Sequence, residues 1–311
     1  MAANNLRIIY QNIADMAGTQ IVASTTSNTT YTPISNTQSD LKSLVWRSAA
    51  APSQYTVGAT IIISNPNIIP INGLILAFCN LSVQATITIR GYSGSTPSIS
   101  SASLTGPSTI TTTGSTLVLT ENAQPAAPYQ GLGEWNWGTN PNSTTAYTNT
   151  RVYGRAWLSD ANAQLSATCT SYVIDILDTN CPDKFIEISR IIMGSYWTPK
   201  YNTSFGLTAS IKDLSTNSRT EAGDLVTFLA PYYNTLSLEL KYMNKTDRSQ
   251  LFKIIKSNGI RRAFYISLFP NNSDDWGKEQ IYQCYGKLVT IPGISHDMYE
   301  NYSSQIEIEE F

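Results

Sequence analysis

The sequence predicts a mainly β protein: an N-terminal jelly-roll β-sandwich, then a second β-rich domain carrying one α-helix. Three observations lead there. Short runs of β-branched and aromatic residues alternate with polar ones and are broken by Gly, Pro, Asn and Ser turn chemistry. Almost nothing in the first two thirds of the chain reads as a helix, and the one strong helical pattern comes late. At 311 residues the chain is long enough for two ordinary domains with two cores.

Residues 1–36 are polar and Thr-rich, and are expected to form an irregular arm with one strand near Leu6–Tyr10. Residues 37–195 supply the expected sandwich. LKSLVWRS (41–48) is short and amphipathic, and YTVGATIIIS (55–64), INGLILAFCN (71–80) and QATITIRGYS (84–93) follow at strand-like intervals. The Thr/Ser/Gly/Pro stretch 94–116 is expected as a long excursion, with one strand at Leu117–Thr120. Residues 122–145 read as a long loop, with a strand around Trp135–Trp137. RVYGRAWLS (151–159) and SYVIDILD (171–178) resume the alternation, and FIEISRIIMG (185–194) closes the sandwich.

The second domain, 196–311, opens through the aromatic, Pro-containing exit SYWTPKY. LSLELKYM (236–243), AFYISLF (263–269), YGKLVTIPG (285–293) and SSQIEIEEF (303–311) read as strands. Between the first two lies the helix. Asn244 or Thr246 caps it, Leu251, Ile254 and Ile255 form its apolar stripe, and Gly259 stands just past its end.

Composition narrows the function classes. A net charge of −2 with only 14% charged residues gives no electrostatic grip on phosphates, so sequence-specific nucleic acid is not an expected partner. No run reaches the ~20 apolar residues of a membrane-spanning helix, and MAANNLRIIY lacks the basic-then-apolar order of a secretory leader. A soluble, unsecreted protein is expected. Cys79, Cys169, Cys181 and Cys284 form no CxxC pairs and are expected to be reduced thiols.

Catalytic patterns are sparse. His296 is the sole histidine, and with Asp297 it sits in the polar turn ISHDMYENY, which suits an exposed side chain better than a catalytic base. Asp175, Asp178, Glu187, Glu239 and the terminal Glu307, Glu309 and Glu310 are the available carboxylates. Asp175 and Glu187, on alternating strands, are expected to face solvent, and the terminal glutamates to pair with a basic neighbour or cap an edge strand. NNSDDWGKE (271–279) departs from a calcium-loop spacing and is expected as a solvated loop. No catalytic residue, metal or cofactor is assigned, and the protein is expected not to be an enzyme. In GLGEWNWG, Trp135 and Trp137 are two residues apart and on a strand share one face. They could stack on a sugar ring, or pack against the sandwich or a neighbouring subunit.

The stretch LKSLVWRS…YTVGATIIIS…INGLILAFCNLSVQATITIRGY resembles the galactose-binding-like, discoidin-type β-sandwich. The order of sandwich, IEISRIIMGSYWTPKYN junction, FGLTASIKDLSTNSRTEAGDL, one helix, FYISLFP and terminal IEIEE resembles structural proteins of tailed bacteriophages, at the tail tip or baseplate, in the manner of the distal tail protein. The resemblance implies a tail-tube-like second domain and a homo-oligomeric ring, usually hexameric. It also implies other tail proteins (tube, hub and tape measure) as partners, and a place in the virion tail after assembly in the host cytoplasm. Under it, Trp197, Pro199 and Tyr201 would set the angle between domains, and Arg219, Asp224 and the helix would lie at subunit contacts. Host glycans are the alternative partner, bound by the sandwich loops.

Overall fold

A computed structural model describes residues 5–52, 56–67, 70–82, 85–123, 152–181, 183–270, 279, 281–298 and 300–311. The chain divides into two compact units. One comprises Ile9–Trp197 with Ser273–Gln280, the other Met1–Ile8, Thr198–Asn272 and Ile281–Phe311.

The N-terminal residues do not form the separate arm expected for 1–36. After β1 (Arg7–Ile9), Ile13 and Ala14 are buried and β2 (Gln20–Ala23) is a sheet strand of the first unit. Its polar composition conceals a few well-placed aliphatics.

In the first unit follow β3 (Trp46–Arg47), β4 (Val57–Ser64), β5 (Gly73–Cys79), β6 (Thr86–Gly94), β7 (Ser98–Ser101), β8 (Thr109–Thr111) and β9 (Ser115–Ala123). After them come β10 (Val152–Trp157), the short helix α1 (Asp160–Leu165), β11 (Ser171–Asp178), β12 (Glu187–Gly194) and β13 (Tyr196–Trp197). Two antiparallel sheets, ordered β10-β5-β12-β3 and β2-β4-β11-β6-β9, share one apolar core. Ile61, Ile63, Ile87, Ile89, Ile174 and Ile176 come from one sheet, and Leu74, Leu76, Ala156, Ile188 and Met193 from the other. This is the β-sandwich the alternation predicts: every second side chain of each strand enters a shared interior.

The stretch 94–116 is a structured cover. β7 and β8 pair as a hairpin, and Ile99 and Ile110 pack on Ile62, Tyr92 and Val173, on the face of the five-stranded sheet away from the main core. The approach is close. A Cβ on Gly58 would stand 2.3 Å from the backbone of Gly106, so position 58 admits no side chain while the cover is in place. Gly58 N donates to Leu104 O at 2.8 Å.

The second unit contains β14 (Thr208–Asp213), β15 (Thr216–Arg219), β16 (Leu225–Phe228), β17 (Tyr232–Met243), α2 (Lys245–Asn258), β18 (Phe264–Ser267), β19 (Gln283–Leu288), β20 (Ser295–Met298) and β21 (Asn301–Glu310). Its main sheet runs β1-β18-β19-β21-β17-β14, with β20 against β21. The helix behaves as its sequence predicts. Asn244 accepts from Asp247 N at 2.8 Å, Leu251 and Ile254 are buried, and Gly259 ends it at φ +52°. β21 lies between β19 and β17 rather than at an edge, so its glutamates guard no free edge. Glu309 meets Lys212 at 3.2 Å, the basic neighbour expected for one of them.

Candidate functional site at one end of the sandwich

Strand registers place several chain segments at one end of the first unit. Asp178 pairs with Val57, Ile87 with Ala123, and Cys79 with both Val152 and Ile188. The segments around 48–51, 80–82 and 179–186 therefore meet there, and β9 ends and β10 begins at the same end. Trp135 and Trp137 fall between those two strands in the sequence and lie outside the described residues, as does all of GLGEWNWG.

This end is built on buried polar groups. Asp178 is fully buried and accepts from Ser82 N at 2.7 Å, Ser82 Oγ at 2.6 Å and Asn180 N at 2.9 Å. Asn80 accepts from Glu187 N at 2.7 Å, and its amide donates to Phe185 O at 2.8 Å and Asp183 at 3.3 Å. Ser48 N donates to Ile186 O at 2.9 Å while Ser48 Oγ accepts from Ile186 N, also at 2.9 Å. Arg47 spans Glu187 at 2.7 Å and lies over the Phe185 ring at 4.3 Å. A buried carboxylate and amide with their hydrogen-bonding capacity met hold loops in one conformation. Burial, opposed by the Asn80 hydrogen bond, raises the Asp183 carboxyl above its ordinary range. Burial, reinforced by nearby Asp178, pushes the Cys181 thiol up to about 12. The thiol is thus a packed, protonated group and no nucleophile at neutral pH.

The expectation that Asp175 and Glu187 face solvent is overturned. Asp175 is buried, pairs with Arg90 and accepts from Thr60 Oγ1 at 2.7 Å. The hairpin supplies the cover, with Ser108 N donating to that same Thr60 hydroxyl at 2.9 Å. Glu187 is buried against Arg47. Both carboxylates are thus committed to structural ion pairs. Glu279, expected in a solvated loop, is buried against Arg155 at 2.6 Å; the rest of the 271–278 stretch lies outside the described residues.

Other sequence candidates scatter. Trp197 ends the first unit and is half-buried. Pro199 is buried in the second unit, its carbonyl accepting from Asn5 at 3.0 Å, and Tyr201 is exposed beneath Lys200. Arg219 and Asp224 come together at the turn of the β15–β16 hairpin. Arg219 donates to Gly223 O at 2.8 Å, and Asp224 N donates to Thr220 Oγ1 at 3.1 Å. His296 is exposed and stacks on Tyr302 at 4.7 Å, with Arg248 over the same ring at 4.6 Å. All four cysteines are buried, and none forms a disulfide. Among the described residues no helix is long and apolar enough to cross a membrane, and no group of three or more potential ligands could hold a metal ion.

The sequence does not disclose the buried network at Asp178 and Asn80. Asn80 and Ser82 look like ordinary turn residues, and only the strand registers bring them to the 178–187 segment.

No protein-family model and no curated protein matches the chain. Among solved structures, the chain is similar to the family 32 carbohydrate-binding module from C. perfringens NanJ, determined in complex with galactose. Identity is 9%, the TM-score is 0.32, and the match covers 62% of this chain and 99% of that one.

Proposed function

We propose that this chain is a non-enzymatic binding protein whose sandwich holds a carbohydrate at the loop end, with Trp135 and Trp137 as the stacking platform. The observation that supports it is the set of buried hydrogen bonds of Asp178 and Asn80, which fix the loops at the end where β9 stops and β10 starts, the strands that flank Trp135 and Trp137 in the chain. A neutral sugar needs no ion pair from its receptor. It presents C–H faces to an indole and hydroxyls to fixed polar groups, and a preformed loop frame lowers the ordering cost of binding. The test is a glycan array probed with the full chain and with W135A/W137A. A defined set of glycans is expected for the wild type and its loss for the variant, with thermal unfolding unchanged. An array blank for the wild type, or equal for both proteins, would refute the proposal.

A second reading concerns the second unit: a ring-forming component of a phage tail tip, working in the virion beside tube, hub and tape-measure proteins. The β15–β16 hairpin favours it, because every residue of both strands is exposed and Leu225, Phe228 and Leu229 are 59%, 61% and 89% exposed. A two-stranded ribbon of this kind is marginal in water, and an apolar exposure of this kind marks a contact surface. The mass of the purified full chain decides: a closed oligomer dispersed by L225K/F228E supports it, and a monomer at high concentration that is absent from particles rejects it. Both readings are compatible in one protein.

A further inference from the structure

Six of the chain's 20 lysines and arginines, against one of its 22 acids, fall between positions 245 and 262. The chain-wide charge conceals that concentration. On α2, Asp247, Leu251, Ile254 and Asn258 are buried, so the opposite stripe of Lys245, Ser249, Phe252, Lys253 and Lys256 faces solvent. That stripe runs about 16 Å from Lys245 to Lys256. Past the helix, Gly259 turns the chain at φ +52°, and Ile260, Arg261 and Arg262 are exposed beyond it. Among the described residues, no carboxylate pairs with Lys245, Lys253, Lys256, Arg261 or Arg262. Arg248, the sixth cation, is turned onto Tyr302, donating to its hydroxyl at 2.9 Å. Asp247, the one acid, faces inward and accepts from Lys200 N at 3.2 Å.

Helix stability does not account for this pattern. Lys256, Arg261 and Arg262 suit the negative end of the helix dipole, but Lys245 stands at the positive end, where a cation is unfavourable. Lys253 and Lys256 are like-charged neighbours three residues apart, and no acid stands three or four positions from either to offset them. Packing does not hold the apolar members either, since Phe252 is 60% and Ile260 52% exposed. The face therefore presents point charges on flexible stems around two apolar side chains. Lysine sets no geometric demand on the phosphate it meets. A fluid layer of anionic headgroups over acyl chains receives both components, with the cations at the phosphates and Phe252 and Ile260 below them. A duplex nucleic-acid backbone would use the charge and leave both apolar side chains in water.

We infer that the outer face of α2, continued by Ile260, Arg261 and Arg262, docks on an anionic lipid bilayer. The helix lies along the surface and does not cross it. Charge complementarity brings the chain to the headgroups, and Phe252 and Ile260 add an attachment that salt does not screen. The surface belongs to the second unit and stands whether or not the sandwich binds a glycan.

The test is flotation of the full chain with vesicles of phosphatidylcholine alone, and with vesicles of phosphatidylcholine and phosphatidylglycerol in equal parts. A fluorescein-labelled DNA duplex, read by anisotropy, is the rival polyanion. K253Q/K256Q and F252S change exposed side chains, so both should unfold at the wild-type temperature. The wild type is expected to float with the anionic vesicles and not with the neutral ones, and less as salt rises. A lysine near such a surface contributes about fivefold in partitioning, so K253Q/K256Q should bind about thirtyfold more weakly. F252S should also bind more weakly, and lose more of its binding to added salt than the wild type does. No flotation with the anionic vesicles, equal flotation of the wild type and K253Q/K256Q, or capture of the duplex in place of the vesicles would overturn the proposal.

Discussion

Asp178→Ala probes the frame of the candidate site most sharply. The side chain is fully buried and accepts three hydrogen bonds, two from backbone N–H groups and one from Ser82 Oγ. Bonds to a charged acceptor contribute about 1.5–3 kcal/mol each, a gross of roughly 5–9 kcal/mol. Removing the carboxylate also relieves several kcal/mol of its desolvation cost, but strands Ser82 N and Asn180 N without their acceptor. The net expectation is a loss of about 3 kcal/mol, or roughly 6–12 °C in Tm for a unit of this size. Urea denaturation gives the first figure. Amide hydrogen exchange at Ser82 and Asn180 shows whether the loss is local, and protection there should fall before that of the core strands. A variant within about 0.5 kcal/mol of wild type, with those two amides still protected, would refute the reasoning that Asp178 holds the loop end together.

Other predictions follow from named contacts. Glu279→Leu leaves the buried Arg155 guanidinium without that carboxylate and should cost about 3–5 kcal/mol, while R155M/E279L should recover most of it, as urea midpoints would show. Asn244→Ala removes the cap of α2 and should lower stability by about 1 kcal/mol in the same assay. Burial raises the Cys169 thiol to about 11 and Cys181 to about 12, from an ordinary 9.0. The unfolded chain sheds these protons first, so stability present below pH 9 should fall as pH rises from 9 toward 11. Urea midpoints at pH 8, 9.5 and 10.5 check the sign, and a disulfide reagent should label neither thiol until the protein unfolds.

The parts legible in the sequence are those governed by local pattern. Short apolar runs at 57–64 and 73–79 and alternation at 171–178 mark strands, each of which sends about every second side chain into one core. Asn244, the Leu251–Ile254 stripe and Gly259 define α2 through contacts spanning at most a few turns. What the sequence concealed depends on distant coverage. Asp175 does point away from the main core, but the 98–111 hairpin arrives over that face, so outward does not mean wet. A signal for the hairpin existed, since Ile99 and Ile110 each sit among β-branched and hydroxylated neighbours, yet its Ser/Thr content reads as loop. α1 was also readable, with Ser159 accepting from Asn162 N before a run of helix formers, but at six residues it is shorter than a periodicity window. Asn80 and Asp178 are 98 positions apart in the chain, and nothing local announces that they meet the same loops.

The most direct measurement is a calorimetric titration of the full chain with its best array glycan, run beside W135A/W137A and D178A. Carbohydrate recognition at the loop end predicts a saturable heat for the wild type, a clear loss of affinity for D178A, and none detectable for the double variant. No heat with any glycan, or three identical isotherms, would contradict it.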